Sequence, residues 1–190
     1  MEVFMAEEVK QEAKSVEAKA EVLKNVNALE KWLESINKQL PQIPKKGRDV
    51  LAQLAPWLAL AGGLFSLLSS WWFWQAGHVV NNLVNFSNRL NQLYGDMVID
   101  TSPKLGFSWY LALALLLVQA AIMLAAFPKL KDGKKSGWNL LFYNVLLGVL
   151  IGLVYVFTPG YGIFSLFGTL VGAAIGAYLL FQVRGHFAKK

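Results

Sequence analysis

Four stretches, each without Asp, Glu, Lys, Arg or His, constrain this chain more than any other feature: Trp57–Trp74, Phe107–Phe127, Trp138–Phe157 and Ile163–Val183. A helix of about 20 residues crosses the hydrocarbon core of a bilayer. Lipid offers no hydrogen-bond partner to an open backbone, so a segment that enters it must be helical or part of a closed barrel. The four stretches therefore predict four transmembrane helices, the first of them possible from Leu51 onward. Pro56 then falls in the first turn of that span, where its missing N–H costs little, or marks a kink.

The charges around the spans predict one threading. Residues 1–49 carry nine basic and nine acidic side chains, whereas residues 50–190 carry nine basic side chains and three Asp, which is the whole net charge of +6. Lys45, Lys46 and Arg48 precede span one, "FPKLKDGKKSGW" joins spans two and three, and Arg184, Lys189 and Lys190 follow span four. The other two connections are neutral. By the positive-inside rule both termini and the basic loop are cytoplasmic. Trp71, Trp72, Trp74, Trp109 and Tyr110 would anchor the outer interface, and Trp57 and Trp138 the inner one. Because the basic residues flank apolar runs, they read as topology charges and not as a nucleic-acid surface. The first residues are acidic and amphipathic, so no cleaved leader is expected.

Membrane helices associate by close packing, and small residues let their backbones approach. Gly168, Gly172 and Gly176, extended by Ser165, form a small-residue stripe on span four. Asn144, Gly148 and Gly152 form a second on span three. A tight turn joins these spans, which predicts an antiparallel hairpin with the stripes facing. The alternative is that the span-four stripe meets a second copy of the chain. Span one has a softer version in Ala59, Gly62, Gly63, Ser66 and Ser69.

Two amphipathic segments lie outside the spans. Val22, Val26, Leu29, Leu33, Ile36 and Leu40 recur at alternating steps of four and three, and Val9, Ala13, Val16 and Ala20 repeat the steps in a shifted phase. This predicts a cytoplasmic helix over residues 1–42 with a narrow apolar seam, which engages a partner as a coiled coil or lies against the membrane or its own domain. Glu34 and Lys38 are spaced for a helical ion pair. Residues 43–50 read as a linker, "PQIPKKG" being stiff, and 51–190 as the transmembrane domain. Between spans one and two, Val79, Leu83, Phe86, Leu90, Leu93 and Met97 form a second seam backed by Asn81, Asn82, Asn85, Asn88 and Asn91. That predicts a separate interfacial helix at about 78–97, lying on the outer membrane surface or capping the bundle. Asn85-Phe86-Ser87 matches the three-residue glycosylation pattern.

Few residues are equipped for chemistry. The chain has no Cys and two His, and the predicted threading places His78 and His186 on opposite sides of the membrane. No span carries an acid or base to activate a nucleophile, so Ser66, Ser69, Ser70 and Ser165 read as packing residues. No phosphate-cradling loop or dinucleotide fingerprint is present, and neither metal nor cofactor is expected. "TPGYG" at 158–162 resembles the TVGYG filter of potassium channels. Here, however, a full span runs straight into Thr158 and Pro159 replaces the valine, so it reads as a Pro-Gly turn closing a helical hairpin. Within the spans the polar candidates are Gln119, Asn144 and Thr169. Gln119 and Asn144 suit interhelical hydrogen bonds, or a narrow polar path in an oligomer.

At "KKSGWNLLFYNVLLG" and "GAYLLFQVRGHF" the chain resembles a group of small bacterial membrane proteins of unknown role, some labelled chromate-transporter-like. The resemblance covers roughly residues 128–187, implies a bacterial inner membrane, and carries over no functional residue. Taken together, the sequence predicts an all-α membrane protein of four spans plus two amphipathic helices. Its expected role is interaction, assembly or membrane organisation without catalysis. Its expected partners are the bilayer and either another protein or a second copy, met through helix 1–40 or the span-four stripe. The alternative is a passive channel or small-solute or anion permease formed by a homo-oligomer.

Overall fold

The computed structural model describes residues 2–94, 106–158 and 162–187, and for residues 2–14, 19, 91 and 94 the backbone alone. It contains five α-helices: α1 Glu2–Gln39, α2 Lys45–Tyr94, α3 Phe107–Lys131, α4 Lys135–Val156 and α5 Ile163–Gln182. A short 3-10 turn, Arg184–His186, follows α5. Four of the helices, α2 to α5, are long and apolar enough to cross a membrane, and most of each apolar stretch is left uncovered by the chain itself. Such surface is stable only in lipid, and the protein is an all-α, multi-pass membrane protein.

The chain divides into two units at Gln42/Ile43. Unit 1 is α1 and its C-terminal turn, in which the Gln42 side-chain amide donates to the carbonyls of Asn37 and Leu40 at 2.8 and 3.0 Å. Unit 2 holds the four spans, each packed chiefly against its neighbour in sequence, α2 on α3, α3 on α4 and α4 on α5. Successive spans run antiparallel, so the start of α2, the α3–α4 turn and the end of α5 share one end. This is the basic end of the unit.

Aromatic clusters fasten both ends. At the basic end Trp138 is fully buried, stacked on Phe142 and edge-on to Phe181 with centroids 5.6 and 5.3 Å away. Its indole N–H donates to the Leu180 carbonyl at 2.8 Å, satisfying one of the last carbonyls of α5. At the opposite end Phe73 of α2 stacks on Trp109 of α3 at 5.1 Å, and Tyr155 of α4 closes on Phe73 at 6.0 Å. There the Ser108 hydroxyl donates to the Phe157 carbonyl at 3.0 Å, tying the start of α3 to the end of α4.

The turn between α3 and α4 follows from its sequence. Gly133 takes φ 71°, a conformation open to glycine because it has no Cβ. The N–H groups of Gly133 and Lys134 then reach back to the carbonyls of Leu130 and Lys129, both at 2.9 Å. This is the paired-bond cap that ends many helices at glycine.

Three expectations need correction. Residues 45–50 are not linker but the first turns of α2, and Pro56 therefore sits eleven residues inside a helix that runs through it. Proline in a membrane helix is tolerated where neighbours compensate for the missing N–H. The separate surface helix at about 78–97 is absent as such: residues 78–94 continue α2 without a break. Between Trp74 and His78 there is no proline, and the single Gly77 costs only about 1 kcal/mol in a helix interior. A Cβ at Gly77 would strike the Trp109 ring, so the glycine serves the α2–α3 approach. Met97, most of "TPGYG" and the side chains of Val9 and Ala13 lie outside the described residues. Lastly, the glycine stripes of α4 and α5 do not face one another. Only Gly152 is closely covered, with Thr169 atoms 2.6 to 2.8 Å from where its Cβ would stand. Gly148, Gly168 and Gly172 open on empty space, and Gly176 has Val145 at 3.8 Å. The face of α5 turned to α4 runs instead through Thr169, Ala173, Ala177 and Leu180, about 100° round from Gly168 and Gly172.

Candidate functional site

An open cleft of about 580 Å³ lies at the basic end of unit 2, lined by the start of α2, the α3–α4 turn and the C-terminal segment. Asp49 comes from the first turns of α2, and His186 from the turn after α5. Their side chains meet with Nε2 to Oδ1 at 2.8 Å, each more than a third exposed. Next to them Lys134 pairs with Asp132 at 2.7 Å. Beneath, the Gln182 side-chain oxygen accepts the Ile43 N–H at 3.3 Å, and Gln182 is buried. Arg184 lies over the Trp138 ring at 5.0 Å and the Phe181 ring at 5.9 Å, a cation–π arrangement. The Asp49–His186 pair superficially resembles part of a catalytic triad. Yet the cleft lining has no Ser, Thr, Tyr or Cys to serve as nucleophile. Among the described residues no group of three His, Asp or Glu is placed to hold a metal. What these contacts accomplish is closure: they fasten the end of α5 to the start of α2.

The sequence named Arg184 as a topology charge, Trp138 as an anchor and His186 as one of two histidines, but it did not bring them together and did not single out Asp49 or Gln182. Asp49 and His186 are 137 positions apart, and Gln182 lies in the last turn of a span. Their one signal was that each stands where an apolar run meets charge. His78 is at the other end, edge-on to Trp74 at 4.5 Å. It lies 29 residues along α2 from Asp49, roughly 40 Å by helical rise, so the two histidines share no site.

The polar pair proposed inside the spans is not joined. Gln119 on α3 and Asn144 on α4 are both half-buried, and the Asn144 side-chain oxygen is enclosed without a hydrogen-bond partner. Thr169 instead spends its hydroxyl on its own helix, donating to the Ser165 carbonyl at 2.8 Å.

Two apolar seams stand uncovered. On α1, Val22, Leu29 and Ile36 are exposed, and Val26 and Leu33 are half-buried. Glu34 and Lys38 form the expected pair at 3.1 Å beside this seam. On α2, Val79, Leu83, Phe86, Leu90 and Leu93 are all exposed, Leu93 the most at 76%. The glycines Gly168 and Gly172 on α5 add a smooth strip flanked by exposed Phe164, Phe167, Val171 and Ile175. No protein-family model, curated protein or solved structure matches the chain.

Proposed function

We propose that this membrane protein is an interaction and assembly factor, which holds a protein partner at the membrane and catalyses nothing itself. The observation that carries this reading is α1. It is a 38-residue helix in a unit of its own, and it keeps Val22, Leu29 and Ile36 exposed outside any apolar stretch long enough to span lipid. An amphipathic helix with an uncovered 4-3 seam gains by burying it in a partner helix. The placement of Lys45, Lys46, Lys134 and Lys135 supports a cytoplasmic side for this helix, and the resemblance over residues 128–187 is what suggests a bacterial inner membrane. In the test, Leu29→Asp/Leu33→Asp is introduced in the full chain and the particle is extracted in mild detergent. Loss of a stoichiometric second protein is the expected result. A particle of unchanged composition overturns the reading.

One observation favours a second reading, a passive permease: the unpartnered Asn144 oxygen, a group that a translocated solute could use. Asn144→Leu separates the readings by flux. The change removes an unsatisfied buried amide and raises stability by about 1–2 kcal/mol in either case, but only in a permease does it abolish liposome flux.

A further inference from the structure

At the end of unit 2 opposite the basic cleft, three spans stop at one level. Phe107 opens α3, Phe157 caps α4 and Ile163 opens α5, and Phe73 of α2 is stacked on Trp109 there. Among the described residues α2 alone goes on, for the 17 residues from His78 to Tyr94. At 1.5 Å per residue this continuation is roughly 25 Å long; Val84 on it is buried, and the seam lies on another face. Its seam of Val79, Leu83, Phe86, Leu90 and Leu93 is apolar and exposed beyond the end of the transmembrane bundle.

The seam does not start at the membrane surface. Stepping by seven along α2 from Leu58 gives Phe65, Trp72, Val79, Phe86 and Leu93, every one apolar and 57% to 76% exposed. Beyond the bundle Val79, Leu83, Phe86, Leu90 and Leu93 alternate steps of four and three, the pattern of a left-handed two-helix coil. The seven-step ladder from Leu58 carries one of its two positions down into the span. Phe65 and Trp72 also border an open apolar cleft of about 470 Å³ beside Leu116 and Tyr155, so the ladder has space next to it at mid-span.

We infer that the occupant of this ladder is a second copy of the chain, bound as a parallel coil along α2. Three features select a copy over another partner. Copies inserted with one orientation in one membrane hold residue 79 beside residue 79, at equal height, so the seams meet in register without further guidance. Between His78 and Tyr94 the sole formal charge is Arg89, and Asn81, Asn82, Asn85, Ser87, Asn88 and Gln92 are uncharged polar residues. A symmetric pair therefore opposes no row of like charges, and a charged partner would find nothing to pair with except Arg89. The five seam side chains beyond the bundle expose on the order of 500 Å² in each copy. Pairing them would bury roughly 1,000 Å², the size at which specific interfaces begin, before Leu58, Phe65 and Trp72 are added. The inference concerns α2 and is independent of the α1 reading above.

The chain lacks cysteine, which makes single-cysteine cross-linking of the full-length protein in liposomes a clean test. Leu83→Cys, Phe86→Cys and Leu90→Cys should give disulfide-linked dimers several-fold more readily than Asn81→Cys and Asn88→Cys, and the excess should persist on dilution with lipid. Equal yields at all positions, or none at the seam, overturn the inference. So does a seam cysteine that is shielded from a charged, water-soluble maleimide yet forms no dimer, since that places the helix in lipid. Because cysteine at the seam removes part of it, the unaltered chain is weighed in mild detergent alongside Leu83→Asp/Leu90→Asp. A dimer that falls to half its mass supports the coil, and a monomeric unaltered chain overturns it.

Discussion

Thr169 shows how much a single contact decides in a bundle without charged residues in its spans. Its hydroxyl is committed to the Ser165 carbonyl, so the side chain cannot swing away from Gly152, whose missing Cβ leaves the space it fills. Gly152→Leu is therefore expected to force α4 from α5 and cost about 1–3 kcal/mol, read as a lower melting temperature in detergent. Gly172→Ala meets nothing. It should leave the melting temperature unchanged or raise it by the equivalent of about 0.5–1 kcal/mol, the helix-propensity gain. The reverse order would mean that the Gly168–Gly172 strip carries the packing after all. Both glycines looked alike in the sequence. Two small-residue stripes one position apart, Ser165/Thr169/Ala173 and Gly168/Gly172, both suit close approach, and the sequence has no term that selects between them.

At the scale of the element, α2 is the helix whose reading changed most. Its apolar span and its amphipathic continuation were both legible, one from an uninterrupted apolar run and the other from 4-3 spacing. Their fusion was not, because a change from apolar to amphipathic pattern at Trp74 resembles a boundary although no residue there breaks the hydrogen-bond ladder. Continuity has a measurable consequence. Spin labels at Leu68 and Arg89 are 21 residues apart, which in an unbroken helix sets them at roughly 31 Å. A helix bent at Gly77 to lie flat on the bilayer would shorten that to roughly 22 Å, again from the rise per residue. Pulsed electron resonance on the reconstituted protein distinguishes the two.

For the whole molecule, the antiparallel order of spans brings the start of α2, the α3–α4 turn and the end of α5 to one end, and leaves the α2 continuation at the other. In spheroplasts of a bacterial host, a membrane-impermeant maleimide should label Asn88→Cys and spare Lys134→Cys and Gly185→Cys. Inverted vesicles should show the opposite pattern. Labelling of Lys134→Cys from outside would reverse the threading read from the basic residues. Gly185 is a fair reporter because it is exposed and crowded by nothing.

The sequence by itself determined that the protein spans a membrane, how many times, and with which ends together. Those properties depend on transfer of each segment from water to lipid, a sum over local composition that needs no knowledge of neighbours. It also located the loop between spans two and three, within which the structure shows Gly133 making the turn. Only the tertiary structure decided which face of α5 meets α4, that His186 closes on Asp49, that the Asn144 oxygen goes unpartnered, and that α2 continues past its neighbours. Lipid is as apolar as leucine, so no hydrophobic gradient tells one apolar face from another. The choice falls to shape: Thr169 in the space at Gly152, and Trp109 against Gly77.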